Sequence, residues 1–184
     1  ARALPRGRVT ANYILNPASI ETTAPVLDQL LSLPGVNVRV AHMNYLTPEE
    51  AAAHEAFWCA RFHETPPPLA VHIGGCDHRR MEPILELLGR SEYRSVVSRP
   101  RLTAAELRSW YSDRFTLPRR CLFVWHSIML HPDGTVSPCQ FIKAPMGSVL
   151  EEPLAEIWNG ARYRALRKEL KRGLMPACAR CCKL

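Results

Sequence analysis

The sequence predicts an α/β protein whose first part contains a parallel βαβ unit and whose last part is a smaller α+β unit. Two strand patterns that flank one helix pattern within residues 8–43 predict the βαβ unit. A hairpin signal at residues 132–134, followed by two short helix patterns, predicts the second unit. We therefore expect two domains in this chain of 184 residues, one over residues 1–116 and one over residues 117–184.

The βαβ unit is predicted from three consecutive segments. Arg8–Leu15 is rich in the β-branched and aromatic residues that favour strands, and Val36–Met43 places valine at alternate positions. Between them, Ala24–Leu33 has apolar residues at helical spacing and ends at Pro34-Gly35. Strands that are joined through a helix normally pair in parallel, so we expect these two strands to lie side by side.

Three further helices are predicted in the first part, over residues 47–62, 77–89 and 103–115. Thr47 and Glu50 form a Thr-x-x-Glu capping box at the start of the first of these helices, with Pro48 at its first helical position. Thr103 and Glu106 form the same box at the start of the third helix. These patterns give the first part a regular alternation of strands and helices.

The last third of the chain has a different pattern. Ile128–His131 and Thr135–Phe141 flank the turn Pro132-Asp133-Gly134, which predicts an antiparallel hairpin. Pro153–Trp158 and Ala161–Lys171 then predict two helices. This order of elements is typical of a small α+β domain.

Composition and charge narrow the functional classes. Hydrophobic residues make up 47% and charged residues 22% of the chain, which excludes a disordered tail or a fibrous repeat. No apolar run approaches the roughly 20 residues that a membrane helix needs. The formal charge of +7 is concentrated in residues 161–184, which contain eight basic residues and one acid, Glu169. Such a basic end fits either nucleic-acid binding or a solvated helix face.

Seven cysteines are the strongest chemical signal in the sequence. No secretory signal is visible, so we expect a cytoplasmic protein in which clustered cysteines bind a metal centre. Cys178 and Cys181 form a C-x2-C pair, and Cys121 and Cys139 flank the predicted hairpin. Four thiolates suit either one tetrahedral zinc ion or a four-iron cluster.

A site shared by all four cysteines makes a geometric demand on the hairpin. A straight hairpin would leave Cys121 roughly 20 Å from Cys139, at about 3.3 Å per residue. We therefore expect the chain to bend back between Cys121 and Ser127, which would bring the two sulfurs within about 7 Å of each other if one cluster joins them.

Several segments of the last third resemble the SPASM domain, or its shorter twitch form, of radical SAM enzymes. The segments are Cys121, Gly134-x4-Cys139, Gly147–Gly160, Arg167 and Pro176–Cys182. The resemblance implies an auxiliary 4Fe–4S cluster bound by Cys121, Cys139, Cys178 and Cys181. Residues 1–116 resemble, less closely, the C-terminal strands and helices of the partial (β/α) barrel of these enzymes, with its bridging helix.

This chain departs from the family pattern in two places. The C-x3-C-x2-C motif, which binds the cluster that cleaves S-adenosylmethionine in this family, is absent from the sequence. In sulfatase-maturing relatives an acidic residue, taken as a proton acceptor, follows the second hairpin cysteine. Gln140 occupies that position here, so the same base cannot be assigned.

The resemblance therefore implies the C-terminal portion of a longer oxidoreductase. We expect S-adenosylmethionine and a second 4Fe–4S cluster to be bound by a missing N-terminal half, and the chain alone to be inactive. Other expected partners are a peptide or small-molecule substrate and an electron donor such as flavodoxin or ferredoxin. Nucleic acid and membrane are not expected partners under this reading.

Two other functional classes remain open. The chain could be a non-catalytic iron–sulfur or zinc module that binds a partner protein, or a basic module that binds nucleic acid. We predict that Cys59, Cys76 and Cys182 are not ligands. Three histidines lack other ligands at metal-binding spacing, and we interpret them as core or surface residues. These are His72, His126 and His131.

Overall fold

The computed structural model of the chain describes residues 9–74, 78–112, 115, 120–181 and 183. Contacts between residues divide the described chain into two units. The first unit contains residues 9–43 with the described part of 78–115, and the second contains residues 44–74 with the described part of 120–183. The predicted boundary near residue 117 lies outside the described residues. Residues 44–74, which we predicted to belong to the N-terminal domain, group with the second unit.

The first unit is built on the predicted βαβ arrangement. Strand β1 spans Val9–Leu15, helix α1 spans Ile20–Leu31 and strand β2 spans Val36–His42. The two strands pair in parallel, from Val9 opposite Val36 to Leu15 opposite His42, so the predicted pairing is confirmed. Helix α1 begins four residues earlier than the predicted Ala24, because a short 3-10 turn at Pro17–Ser19 leads directly into it.

A third short strand completes the sheet of the first unit. Val97–Arg99, labelled β5 in chain order, pairs in parallel with β2, which gives the order β1-β2-β5. We did not predict this strand, because three residues are too few to show an alternating pattern. Val38 and Val40 of β2 are buried in this unit, together with Leu15 and Leu27.

Two further helices belong to the first unit. Helix α3 spans His78–Leu88, and the predicted start at Asp77 lies outside the described residues. Helix α4 spans Ala104–Trp110 and has the predicted capping box at Thr103. It ends earlier than the predicted Phe115, because Trp110 and Tyr111 are both buried and anchor the chain where the helix stops. The Trp110 indole N–H donates to the Met43 carbonyl at 3.2 Å.

The second unit begins with a short strand and a long helix. Strand β3 is Tyr45–Leu46, helix α2 is Pro48–Phe62 and strand β4 is His72–Ile73, which pairs in parallel with β3. The predicted capping box of α2 is confirmed: the Thr47 hydroxyl accepts from the Glu50 N–H at 3.2 Å. Trp58, at 1% exposure, lies in the core of this unit, so α2 groups with the C-terminal residues.

The predicted hairpin forms the second sheet of this unit. Strands β6 (Met129–Leu130), β7 (Thr135–Ser137) and β8 (Gly147–Ser148) are antiparallel, in the order β6-β7-β8. Strand β8 was not predicted. Gly134 has φ +81°, the left-handed conformation that glycine adopts without steric cost, and this lets the chain turn into β7.

Two consecutive helices cover this sheet. Helix α5 spans Leu154–Asn159 and helix α6 spans Ala161–Arg172, close to the predicted bounds. Ile157 of α5 and Leu166 of α6 are both almost fully buried in the core of the second unit. Across residues 9–74, 78–112 and 120–181, no helix is long and apolar enough to cross a bilayer.

Candidate metal centre

Four cysteines line one cavity within the second unit. They are Cys121, Cys139, Cys178 and Cys181. The first two come from the ends of the hairpin region, and the other two come from the 3-10 turn Pro176–Cys178 and the residues that follow it. The structure therefore brings together the four cysteines that the sequence singled out, and we call this space the cysteine cavity.

The chain reverses immediately after Cys121. A 3-10 turn spans Phe123–Trp125, and the Ser127 N–H donates to the Phe123 carbonyl at 2.9 Å. The bend predicted between Cys121 and Ser127 is therefore confirmed. It explains how two residues on either side of a hairpin line the same cavity.

Apolar side chains form most of the remaining wall of the cysteine cavity. Phe141 and Ile142 follow Cys139, and Leu166 and Leu170 project from α6. All four are buried. Such a wall excludes water and lowers the local dielectric, which makes any charge in the cavity more sensitive to its neighbours.

The thiols are held in an environment that opposes their ionisation. Burial raises the pKa of Cys178 well above its usual value, and negative charge on Cys181, Cys121 and Cys139 raises it further. Burial also raises the pKa of Cys139, although the Ile142 and Phe141 N–H groups oppose that shift. Four mutually repelling thiolates in an apolar cavity need a cationic core between them, so the donor set fits a metal centre.

Backbone N–H groups point at two of the sulfurs. The Ile142 N–H donates to Cys139 Sγ at 3.4 Å, and the Lys183 N–H donates to Cys181 Sγ at 3.5 Å. Such contacts stabilise negative charge on sulfur, and in iron–sulfur proteins they raise the reduction potential of the cluster.

The cysteines surround a space and do not converge on one point. Among the described residues, no three His, Cys, Asp or Glu side chains are grouped closely enough to hold a single metal ion. Tetrahedral zinc requires sulfurs at about 2.3 Å from one shared ion. In a 4Fe–4S cluster each thiolate binds a different iron atom, so the sulfurs lie farther apart.

Arg167 of α6 ties three elements together beside the cysteine cavity. Its Nε donates to the Val124 carbonyl at 3.0 Å, and its Nη1 donates to the Trp158 carbonyl at 2.8 Å. Its guanidinium lies 4.1 Å from the centre of the Trp158 ring and 4.8 Å from that of Tyr163. The Trp-Asn-Gly segment is thus a helix end with a packed indole, as we predicted, and Arg167 fixes the bend after Cys121.

A buried ion pair was missed in the sequence. Arg180 lies between Cys178 and Cys181, is 2% exposed, and its Nη1 donates to Glu50 Oε2 of α2. Its guanidinium carbon lies 4.4 Å from the centre of the Tyr45 ring. A cation inside a C-x2-C segment was visible in the sequence, but its partner lies 130 residues away along the chain.

The other candidate residues lie elsewhere. Cys59 is exposed on α2 and is not part of the cysteine cavity, whereas Cys76 and Cys182 lie outside the described residues. Gln140, at the position of the family's acidic residue, lines the cavity.

The three histidines interpreted as core or surface residues fit that reading. His72 and His126 are exposed. His131 is half-buried, and its Nε2 forms a 2.8 Å hydrogen bond with the Ser137 hydroxyl.

The geometry agrees with a comparison against known protein families. Residues 121–182 match the family described as SPASM, an iron–sulfur cluster-binding domain. No curated protein and no solved structure matches the chain. The SPASM resemblance is thus confirmed for this segment, and it makes iron–sulfur cluster binding the supported activity of the second unit. SPASM domains are found in radical SAM enzymes, whereas the match does not reach residues 1–120.

Proposed function

We propose that the chain is the C-terminal portion of a radical SAM enzyme and that its second unit binds an auxiliary 4Fe–4S cluster. One observation carries the proposal: four cysteines within the segment that matches SPASM line a single cavity. The proposed ligands are Cys121, Cys139, Cys178 and Cys181. Because this set supplies four thiolates, every iron has a protein ligand, and direct binding of substrate to the cluster is not favoured.

The surrounding residues prepare the cavity for such a group. When bound, a 4Fe–4S cluster supplies one-electron transfer. Phe141, Ile142 and Leu166 exclude water from the thiolates, and the N–H groups of Ile142 and Lys183 offset the negative charge on sulfur. The bend at Phe123–Trp125 holds Cys121 at the cavity before any cluster is bound.

The first unit is assigned to the partial barrel on a weaker basis. Its sheet is parallel and β1 and β5 are its outer strands, as expected for a piece of a larger parallel sheet, although no barrel is formed by the described residues. Under this proposal the missing N-terminal half binds S-adenosylmethionine and the second 4Fe–4S cluster. The substrate is a peptide or a small molecule, the electron donor is a flavodoxin or ferredoxin, and the enzyme is cytoplasmic.

The ligand set is tested by single serine substitutions in the anaerobically reconstituted chain. Cys121→Ser, Cys139→Ser, Cys178→Ser and Cys181→Ser should each lose most of the bound iron, because each change leaves one iron without its thiolate. Cys59→Ser is the matched control, since Cys59 is exposed and lies outside the cavity, and it should retain the parent iron content. Full iron retention by any of the four variants would remove that residue from the ligand set.

The basic C-terminal helix does not favour nucleic-acid binding over this proposal. Two of its arginines form ion pairs: Arg162 with Glu64 at 2.9 Å, and Arg172 with Glu169 at 2.6 Å. Binding to random-sequence DNA that weakens steeply with salt would support the nucleic-acid alternative.

A further inference from the structure

We propose that Arg180 is a positioning and charge-setting residue of the cluster site, held in place by Glu50 and Tyr45. The inference rests on the proposed function, because it assigns a role toward the auxiliary cluster. It concerns a side chain that lies in sequence between two of the proposed ligands, Cys178 and Cys181.

Arg180 is buried in an arrangement that fixes its position. Its side chain is fully shielded from solvent, and the Glu50 side chain is 18% exposed. The guanidinium stacks over the ring of Tyr45, which is itself 2% exposed. A buried charge is tolerated only where partners satisfy it, so the pair holds the segment around Cys178 and Cys181 in one place.

The anchor that Arg180 contacts is rigid. The Glu50 carboxylate also accepts the Thr47 N–H at 2.8 Å, as part of the capping box at the start of α2. The 3-10 turn Pro176–Cys178 packs against α2 in the same unit. The ligand segment is therefore fastened to an element that lies outside the residues matching SPASM.

The same arrangement places a permanent cation beside the cysteine cavity. Reduction adds an electron and makes a cluster more negative, so a nearby guanidinium favours the reduced state and a nearby carboxylate disfavours it. Removing only the Arg180 charge should lower the reduction potential, and removing only the Glu50 charge should raise it. A purely structural role predicts no such opposition, because either change breaks the same ion pair.

The test uses the full chain after anaerobic reconstitution, with iron content measured before a redox titration followed by visible absorbance. Arg180→Gln should shift the midpoint potential downward, Glu50→Gln should shift it upward, and Arg180→Lys should stay close to the parent. The matched controls are Arg162→Gln and Glu64→Gln, which break an exposed ion pair of the same unit and should leave the potential unchanged. Shifts of the same sign for Arg180→Gln and Glu50→Gln, or no shift, would overturn the inference.

A second comparison covers the case in which Arg180→Gln alone does not hold iron. Glu50→Gln and the double variant Glu50→Gln/Arg180→Gln differ only in the cation, so the double variant should have the lower potential. Equal potentials would contradict the inference, and so would loss of iron by Arg180→Lys, which keeps the cation. Absence of a cluster in the parent chain would instead contradict the proposed function, so the two failures are distinguishable.

Discussion

Two buried histidines illustrate how differently one residue type is accommodated. His42 of β2 is 1% exposed, and its ring nitrogens contact the Tyr111 hydroxyl at 2.6 Å and the Ser98 hydroxyl at 2.9 Å. His54 of α2 is fully buried beside Trp58, and within the described part of the chain neither of its ring nitrogens has a hydrogen-bond partner. Burial lowers the pKa of each to about 4, so both are neutral at pH 7.

Both units should therefore lose stability in mild acid. The folded pKa of about 4 lies below the ordinary value of 6.5, so the unfolded chain binds more protons between these values. Stability is fully present above pH 6.5 and falls as the pH drops toward 4, by on the order of 2 kcal/mol per histidine at pH 5. Urea denaturation at pH 7 and pH 5 measures this loss, and equal stability at the two values would contradict the prediction.

Leucine substitutions should separate the two histidines. His54→Leu should leave stability at pH 7 unchanged or raise it, because it replaces an unsatisfied polar ring with an apolar side chain. His42→Leu should cost about 1–3 kcal/mol, because it removes the hydrogen-bond partner of Tyr111 and Ser98. Equal effects in thermal or chemical denaturation would show that the hydrogen bonds of His42 contribute nothing.

At the scale of elements, Arg167 should control the bend after Cys121. Arg167→Leu leaves the Val124 and Trp158 carbonyls without this donor and should cost about 1–3 kcal/mol for each carbonyl that stays buried. The loosened bend should also lower iron retention after gel filtration. Arg164→Leu, on the exposed side of the same helix, is the matched control and should retain iron like the parent. If both variants kept the same iron content, Arg167 would have no role in the bend.

Helices with explicit start signals were predictable, and very short strands were not. The capping boxes at Thr47 and Thr103 mark where α2 and α4 begin. The strands β3, β4, β5 and β8 have two or three residues each, which is less than a full period of alternation. They form because neighbouring backbone groups in the folded chain offer hydrogen-bond partners, and this information is not local.

At the scale of the whole molecule, the second unit is assembled from two separate stretches of chain. Local patterns identified the four cysteines and the bend they require, yet they could not show that residues 44–74 join this unit. That assignment depends on Trp58 and Leu46 entering the core and on Glu50 meeting Arg180, which are contacts between residues far apart in sequence. Only the folded chain reveals them.

The segment that matches SPASM should therefore not fold alone. A fragment of residues 120–184 lacks Trp58 and Leu46, each 1% exposed in the chain, and so leaves core side chains uncovered. It also leaves Arg180 without Glu50. We expect no cooperative thermal transition from this fragment, whereas a fragment of residues 44–184 should show one more readily. A cooperative transition of the shorter fragment at parent temperature would contradict this account.

The chain alone should not cleave S-adenosylmethionine. Cleavage in this family needs an iron with an open coordination site, supplied by a C-x3-C-x2-C motif that the sequence lacks. Incubation of the reconstituted chain with dithionite and S-adenosylmethionine should yield no 5′-deoxyadenosine above a cluster-free control. Accumulation above that control would show a radical-generating site in the chain itself.

The central claim is tested most directly by counting iron and acid-labile sulfide in the chain after anaerobic purification or reconstitution. Four cysteine ligands around one cavity predict about four irons and four sulfides per chain, together with visible charge-transfer absorbance. About one zinc per chain, with no iron, no sulfide and no visible absorbance after strictly anaerobic handling, would contradict the account and identify a tetrahedral zinc site.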